Sequence, residues 1–175
     1  MVVSRDGVRL RVASAADAAV IARLRHPSVA GPYNTFADPL GERLGPHDLL
    51  GAGHLVVDLG VGAEADRAAI GDVSWLGVPY GPNRRSVAWK LGITVLPEYR
   101  GAGYGSLAQR LLAEHLFATT VTNRVEADTD PTNVAEQRAL EKAGFSCEGV
   151  LRGAQWRDGA HRDLVLYARL RGDRL

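Results

Sequence analysis

The sequence predicts a single α/β (α+β) domain spanning residues 1–175, and two features of the chain lead to this prediction. The first is size, because 175 residues of which 46% are hydrophobic can bury one ordinary core. The second is the alternation of strand-like and helix-like apolar patterns, in the order β-α-β-β-β-α-β-α-β-β. No internal repeat or low-complexity segment interrupts this order.

The first half of the chain contains three predicted strands, a predicted helix and a loop-rich segment. A strand at 7–13 precedes the sequence SAAD, in which Ser14 and Asp17 form a capping box that starts the helix. Residues 26–53 are rich in proline and glycine and are predicted to be mainly loop, with one short helix at 46–50. Two strands are predicted next, at 54–60 and 68–78.

The second half begins with the most regular strand, at 87–95, where apolar residues occupy every odd position. A helical stripe and a strand at 123–129 follow. The next helix begins with a second capping box, formed by Asn133 and Glu136, and ends at Gly144. The last two strands flank the sequence RDGA, which is typical of a hairpin turn.

The composition argues against several classes of partner and cofactor. A formal net charge of +1 argues against nucleic acid and membranes as partners. The five histidines show no metal-ligand spacing, so no metal is expected. The start of the chain has no apolar targeting segment, and the single cysteine, Cys147, is expected in the core of a protein from a reducing compartment. We therefore expect a soluble cytoplasmic protein, and a homodimer is one of the oligomeric states left open.

Three glycines in alternate positions, Gly101, Gly103 and Gly105, stand where the helix after the regular strand should begin. They do not fit the dinucleotide fingerprint, because the sixth position from Gly101 is Ser106, and the lysine of a nucleotide-hydrolase phosphate loop is missing. A plain glycine-rich turn remains one interpretation. The other is an anion site, because bare backbone N–H groups at a helix N-terminus can approach a pyrophosphate closely.

The segment ITVLPEYRGAGYGS resembles the acyl-CoA loop of the GNAT superfamily of N-acetyltransferases, whose signature is matched by Arg100, Gly103 and Gly105. Downstream, NVAEQRALEKAGF resembles the second cofactor element of that family. The end of the chain resembles the closing hairpin of the branch that includes the ribosomal-protein N-terminal acetyltransferases. The resemblance covers 7–170 and implies a central mixed, mostly antiparallel sheet of six to seven strands flanked by helices. It also implies acetyl-CoA as co-substrate.

The same resemblance implies a set of cofactor-binding residues. The backbone of Ile93 and Val95 would contact the pantetheine arm, and Asn133 would contact the cofactor from the second helix. The pyrophosphate would lie against the loop formed by Arg100, Gly101, Ala102, Gly103, Tyr104, Gly105 and Ser106. Without the resemblance, Asn133 is only a helix cap, and Arg100 is only a solvated side chain.

Acetyl transfer also needs a group that accepts the amine proton, because an alkylammonium has a pKa of about 10. Relatives of the ribosomal type often carry glutamate at the position of Lys90, which cannot serve in this way. We predict that the catalytic carboxylates are Glu126 and Asp128, which share one face of the neighbouring strand; the alternative is that one or both are solvated at a strand end. Leu140 and Glu136 replace a tyrosine and a serine of many relatives, so no acid is assigned, and Glu136 is interpreted as a capping partner.

The acceptor pocket is expected within 26–53, together with Trp75, Tyr80 and the hairpin near Trp156. Aromatic and acidic residues of that segment would suit a cationic amine: Tyr33, Asn34, Phe36, Asp38, Glu42 and Asp48. Two functions remain. One is an N-acetyltransferase that moves an acetyl group to a small-molecule or peptide primary amine by direct attack in a ternary complex. The alternative is a non-catalytic acyl-CoA-binding module or sensor with the same fold.

Overall fold

A computed structural model describes residues 2–33, 50–59 and 69–173, which contain one eight-stranded sheet and four α-helices. The strands are β1 (Val2–Arg5), β2 (Val8–Arg11), β3 (Leu50–Leu59), β4 (Ala69–Pro79), β5 (Val87–Val95), β6 (Arg124–Thr129), β7 (Ser146–Arg157) and β8 (Ala160–Leu170). The helices are α1 (Ala18–Leu24), α2 (Pro27–Ala30), α3 (Tyr104–Thr119) and α4 (Val134–Lys142). Of the helices in this described part, none is both long and apolar enough to cross a membrane.

The sheet confirms the predicted fold class. Its strands follow the order β1-β2-β3-β4-β5-β6-β8-β7, and β5–β6 is the one parallel pair among the described strands. The sheet has eight strands rather than six or seven because the start of the chain adds β1. Asp6 and Gly7 join β1 to β2 with φ angles of 49° and 79°, which suit a two-residue hairpin turn.

The local signals in the sequence place most element ends correctly. The Ser14–Asp17 capping box forms, and the backbone N–H of Ser14 donates to the Asp17 carboxylate at 2.7 Å. Gly144 follows α4 with a φ of 89°, which a residue without a Cβ adopts at no steric cost. Asp158 and Gly159 form the turn between β7 and β8, with φ angles of 52° and 72°.

The structure differs from the sequence prediction at two places, and a third prediction falls almost entirely outside the described residues. A short helix, α2, lies in the segment predicted to be loop, and Pro27 stands at its first position. The helix predicted at 46–50 lies outside the described residues, except that Leu50 begins β3. Cys147 was expected in the core but is exposed, because β7 is an edge strand, whereas Phe145 is buried before that strand begins.

The main core lies between α3, α4 and the sheet. The predicted stripe of α3 is buried as Ala108, Leu111, Leu112 and Leu116. Each leucine buried in this way stabilises the fold by about 2–3 kcal/mol relative to an exposed one. Facing this stripe in the same cluster are Val57, Val73, Leu91 and Val125, one from each of the four central strands. The helix is therefore fixed on the centre of the sheet, which also fixes its N-terminus beside the end of β5.

The parallel pair β5–β6 is short. The paired positions are Trp89 with Val125 and Lys90 with Glu126, although both strands continue further. Beyond these two positions β5 remains paired with β4 on its other side, and β6 remains paired with β8. The two strands therefore have a gap between them at their carboxyl ends, which is the edge where ligands commonly bind in sheets with parallel strands.

An ion-pair cluster ties β2 to β3 and to the start of α1. The Asp58 carboxylate is fully buried and accepts from Arg9 at 2.9 and 2.7 Å and from Arg11 at 2.5 Å. Arg11 also donates to Asp17, and this hydrogen bond is the main reason that the pKa of Asp17 lies well below its usual value. One buried carboxylate of β3 thus holds two guanidinium groups of the neighbouring strand β2.

Replacing Asp58 with alanine should lower the free energy of unfolding by about 3–5 kcal/mol, because it removes a fully buried carboxylate and with it the ion pairs to Arg9 and Arg11. Urea denaturation of the purified variant measures this loss. Glu98→Gln is the matched control, since it removes the exposed Glu98–Arg23 pair and should leave the midpoint unchanged within error. Equal midpoints for the Asp58 variant and the parent would show that the buried cluster adds no net stability.

Candidate functional site

The glycine-rich loop connects β5 to α3 through a 3₁₀ turn at Pro97–Tyr99. Gly101 and Gly103 have φ angles of 79° and 87°, and α3 starts at the next residue, Tyr104. A Cβ atom added to Gly101 or Gly103 would meet nothing within 4 Å. Internal packing therefore does not require these glycines, whereas their left-handed backbone does, and the space in front of them is open.

The first turn of α3 presents backbone donors to that open space. Its capping residue, Gly103, has no side chain to satisfy them, and the helical hydrogen bonds begin with Leu107 N–H donating to the Gly103 carbonyl. The N–H groups of Tyr104, Gly105 and Ser106 therefore have no partner within the helix, and the helix dipole adds a partial positive charge there. This arrangement can bind an anionic group.

A cavity of about 430 Å³ lies against this loop and is called here the loop cavity. The structure places eight of the ten predicted cofactor-binding residues on its wall: Ile93, Val95, Arg100, Gly101, Gly103, Gly105, Ser106 and Asn133. The other two do not line it. Ala102 is exposed, and Tyr104 packs partly against the core, with its ring centroid 6.5 Å from that of Tyr99.

Arg100 holds the loop in place. Its Nε donates to the Val95 carbonyl at 2.8 Å, and its Nη2 donates to the Val29 carbonyl at 2.5 Å. The guanidinium thus joins the end of β5 to α2. Its assignment as a phosphate contact stays a prediction, but the side chain already uses two of its donors within the protein.

A second cavity, of about 480 Å³, lies at the gap between β5 and β6 and is called here the sheet cavity. It shares four lining residues with the loop cavity: Tyr33, Ile93, Asn133 and Glu136. Two ligands placed in the two cavities would therefore meet beside the end of β5. This arrangement suits a reaction between a bound donor and a bound acceptor.

The two predicted catalytic carboxylates share one strand face. Lys90 Nζ contacts both of them, at 2.5 Å from Asp128 and 3.8 Å from Glu126. Their environments differ. Asp128 lines the sheet cavity, whereas Glu126 is only 1% exposed and accepts from Tyr80 at 2.9 Å and from Arg124 at 2.8 Å. Burial alone would lower the pKa of Lys90, but the hydrogen bond and charge of Asp128 raise it. The catalytic role of both carboxylates stays a prediction, and the geometry favours Asp128.

Glu136 is a site residue that the sequence prediction missed. The expected capping box is only half formed: Asn133 accepts from the Glu136 N–H at 3.4 Å, but the Glu136 carboxylate accepts from Gln109 Nε2 at 2.8 Å instead. Burial raises the pKa of Glu136 to about 7, although the hydrogen bond from Gln109 lowers it somewhat. The sequence feature that could have revealed it is Gln109, a polar residue in the middle of an apolar helical stripe. A buried glutamine needs a hydrogen-bond partner.

Tyr33 separates the two cavities. Its backbone carbonyl accepts from Arg157 at 3.2 Å, and the Arg157 guanidinium lies 5.7 Å from the centre of its ring. Arg157 also forms a buried ion pair with Asp130, a further charged pair on the wall of the sheet cavity. The aromatic residue predicted for the acceptor pocket is thus fastened to the closing hairpin.

The other residues predicted for the acceptor pocket have mixed outcomes. Trp75 lines the sheet cavity. Tyr80 and Trp156 are 60% and 48% exposed and are not part of its wall, but the hairpin near Trp156 does contribute to it through Gln155 and Arg157. Five predicted residues lie outside the described part of the chain: Asn34, Phe36, Asp38, Glu42 and Asp48.

Solved structures share this fold. RimL, a ribosomal-protein α-N-acetyltransferase in complex with coenzyme A, is 16% identical, with a TM-score of 0.73 over 97% of this chain and 98% of that one. Mycobacterium smegmatis RimJ, in complex with CoA-disulfide, is 24% identical, with a TM-score of 0.69 over 94% of this chain and 82% of that one. A ribosomal-protein alanine acetyltransferase from Vibrio fischeri is 22% identical, with a TM-score of 0.72 over 99% and 98%. At these identities the likeness establishes the fold.

Sequence comparison establishes the family. The "Probable N-acetyltransferase YjcK" of Bacillus subtilis is 30% identical over 114 residues, which are 65% of this chain and 61% of that protein. The match thus spans less than two thirds of that relative's length. The family model of the acetyltransferase (GNAT) domain matches residues 8–146, which is most of the chain. The resemblance seen in the glycine-rich loop is therefore confirmed, and the chain belongs to the GNAT acetyltransferase domain family.

Proposed function

We propose that residues 1–175 act as one acetyl-CoA-dependent N-acetyltransferase domain, which moves an acetyl group to a primary amine by direct attack in a ternary complex. The observation that carries this proposal is the meeting of the two cavities beside the end of β5, with Ile93 on both walls. The loop cavity would hold acetyl-CoA, and the sheet cavity would hold the amine of a small molecule or a protein N-terminus. No metal is needed for this reaction.

The glycine-rich loop supports the donor half of the proposal. Pyrophosphate would lie against the first turn of α3, where three backbone N–H groups and the helix dipole favour an anion. The open space in front of Gly101 and Gly103 leaves room for that approach. RimL and RimJ, which share the fold, are both complexes with forms of coenzyme A.

The sheet cavity supports the acceptor half. An amine enters water-accessible sites mostly as the ammonium ion, so it must lose a proton before its lone pair can attack the thioester carbonyl. Asp128 lies on the cavity wall as an ion-paired carboxylate and would accept that proton. The tetrahedral oxyanion would be stabilised by a backbone N–H of β5, which requires no particular side chain.

One observation favours a second candidate, a non-catalytic acyl-CoA-binding module. Asp128, Asp130 and Glu126 each have a cationic partner, namely Lys90, Arg157 and Arg124. These ion pairs give each carboxylate a structural role that needs no catalysis. Release of free thiol from acetyl-CoA in the presence of a panel of amines separates the two candidates, because a binding module would release none above the rate of hydrolysis.

Coenzyme A and acetyl-CoA should stabilise the protein against heat. At a ligand concentration of one hundred times Kd, binding adds about 2.7 kcal/mol, which corresponds to a rise in Tm of roughly 5–10 °C for a domain of this size. Differential scanning fluorimetry measures the shift, with NADH as the control nucleotide. An equal shift with NADH, or none with CoA, would contradict donor binding in the loop cavity.

Gly103→Val should abolish the shift in Tm that CoA causes, because the added side chain projects into the open space that the pyrophosphate would occupy. Gly7→Val is a matched control: its φ of 79° is close to the 87° of Gly103, its added Cβ also meets nothing within 4 Å, and it lies far along the chain in the β1–β2 turn. Both variants should lose about 1–3 kcal/mol of stability from backbone strain. If the Gly103 variant binds CoA as the Gly7 variant does, the loop does not hold the phosphates.

Asp128→Asn should lower kcat by about 10²–10⁴-fold, the usual contribution of a general base, and should leave KM for acetyl-CoA nearly unchanged. Glu126→Gln should mainly reduce stability, because Glu126 is buried and accepts from Tyr80 and Arg124. Steady-state kinetics on both variants and on the double variant test this assignment. A loss of kcat in the Glu126 variant alone would reverse the roles, and near-parental turnover in all three would make both carboxylates structural.

A further inference from the structure

We propose that Glu136 is the general acid of this site, donating a proton to the sulfur of coenzyme A as it leaves, and that Gln109 positions it. This inference rests on the proposed acetyl transfer and adds a residue to it. Glu136 is the carboxyl group that lines both cavities among the described residues. It therefore lies where the thioester of a donor and the amine of an acceptor would meet.

The partner of Glu136 sets it apart from the other acidic residues of the site. Its carboxylate accepts from the neutral amide of Gln109 at 2.8 Å, and no cation of the described residues lies within ion-pair distance. Asp128 and Asp130, by contrast, are held by Lys90 and Arg157. A cation beside a carboxylate favours the charged form, which only accepts protons, whereas a carboxyl group without a cationic partner can be neutral and donate.

Gln109 is suited to hold a carboxyl group in either protonation state. Its side chain is fully buried in α3, and its Oε1 has no hydrogen-bond partner in the described structure. Rotation of the amide by half a turn exchanges Nε2 and Oε1, so that the oxygen can accept from a protonated Glu136. A buried amide with one unused acceptor beside a carboxyl group thus accommodates both the neutral acid and its anion.

The charges around Glu136 come from several elements. In the loop cavity, Tyr99, Arg100, Arg138 and Lys142 are the other titratable side chains. In the sheet cavity they are Lys90, Asp128, Asp130 and Arg157, and Tyr33 lies on both walls. Burial raises the pKa of Glu136 to about 7, so the neutral form is populated near neutral pH. Binding of an anionic cofactor in the loop cavity would exclude water and raise that pKa further.

The proton balance of the transfer is simple. The amine nitrogen bonds to the acetyl carbon, the carbon–sulfur bond breaks, and the electron pair of that bond stays on sulfur. Glu136 gives its proton to this sulfur, so that the products are the amide and the free thiol. An ammonium acceptor loses two protons overall. Asp128 is the candidate that accepts the first before attack and passes it to solvent, and that accepts the second as the amide forms. Asp128 then returns this proton to solvent and Glu136 regains one, so that each cycle releases one proton.

Glu136→Gln tests the assignment, since it keeps the shape and can still hydrogen-bond to Gln109 but carries no transferable proton. We expect kcat to fall by about tenfold to hundredfold, at or below the lower end for a general acid, because a thiolate with a reference pKa of about 8.5 leaves readily. In the parent, kcat should decrease as pH rises past the pKa of Glu136 in the complex, since the protonated form is active. This decreasing limb should be missing from the variant.

Two further variants complete the test. Gln109→Leu removes the hydrogen bond that lowers the pKa of Glu136, so the decreasing limb should move to higher pH while the protein stays folded. Glu141→Gln is the matched control on the same helix: Glu141 is exposed, its carboxylate accepts from the Tyr167 hydroxyl at 3.3 Å, and it is not among the residues that line either cavity. It should retain parental kcat and the parental limb. Parental turnover with an unchanged limb in the Glu136 variant would overturn the proposal.

A readout without turnover separates this proposal from the proposed function. In the parent with 13C-labelled glutamate, one side-chain carboxyl should titrate near pH 7, and that signal should be absent from Glu136→Gln. Addition of coenzyme A should move this titration upward. If no amine is acetylated, the proposed function fails; if no glutamate titrates near neutrality, or coenzyme A leaves the titration unmoved, the role of Glu136 fails whether or not acetyl transfer is observed.

Discussion

The early end of pairing between β5 and β6 is the constraint on which the rest of this site depends. Two strands that run parallel and pair at only Trp89–Val125 and Lys90–Glu126 leave backbone N–H and C=O groups on their facing edges without a ladder partner. Those groups need water or a ligand, and an extended ligand can pair with a strand edge as another strand would. The gap is thus both an opening through the sheet and a row of polar groups along its sides.

Several contacts keep that gap open and connect its two sides. Arg23 pairs with Glu98 and Arg100 bonds to the Val29 carbonyl, so that α1 and α2 are fastened to the glycine-rich loop. On the other side, Arg157 fastens Tyr33 to the closing hairpin. The segment from α1 to Tyr33 therefore crosses from the loop to the hairpin and divides one opening into two connected cavities. A donor and an acceptor held separately in this way need only small motions to meet, which is how positioning contributes to rate.

Much of the fold follows from local patterns in the sequence, because each pattern has one dominant structural meaning. Apolar alternation at 87–95 and the RDGA turn specify a strand and a hairpin in almost any context. The errors occur where a contact with another element, or the position of a strand in the sheet, overrides the local pattern. Asn133 and Glu136 match a capping box, but the Glu136 carboxylate accepts from the buried amide of Gln109 instead of from the backbone N–H of Asn133. Cys147 was expected in the core, yet the sequence does not show that β7 lies at an edge of the sheet, where its first nine residues are exposed.

The backbone conformation of the site can be predicted from the sequence, whereas the protonation states of its carboxyl groups cannot. Gly101 and Gly103 have positive φ angles, which few residues other than glycine adopt, so this backbone conformation can be predicted from the sequence. The ionisation of a carboxyl group depends instead on which side chain reaches it from another element. A cation in place of Gln109 would hold Glu136 ionised at physiological pH. Beside the neutral amide, the pKa of Glu136 is instead set mainly by burial. Because Gln109 lies in the same helix whose first turn faces the loop cavity, one element controls both the anion site and the neighbouring carboxyl group. If the donor binds against that first turn as proposed, its binding and the protonation of Glu136 would be linked through α3.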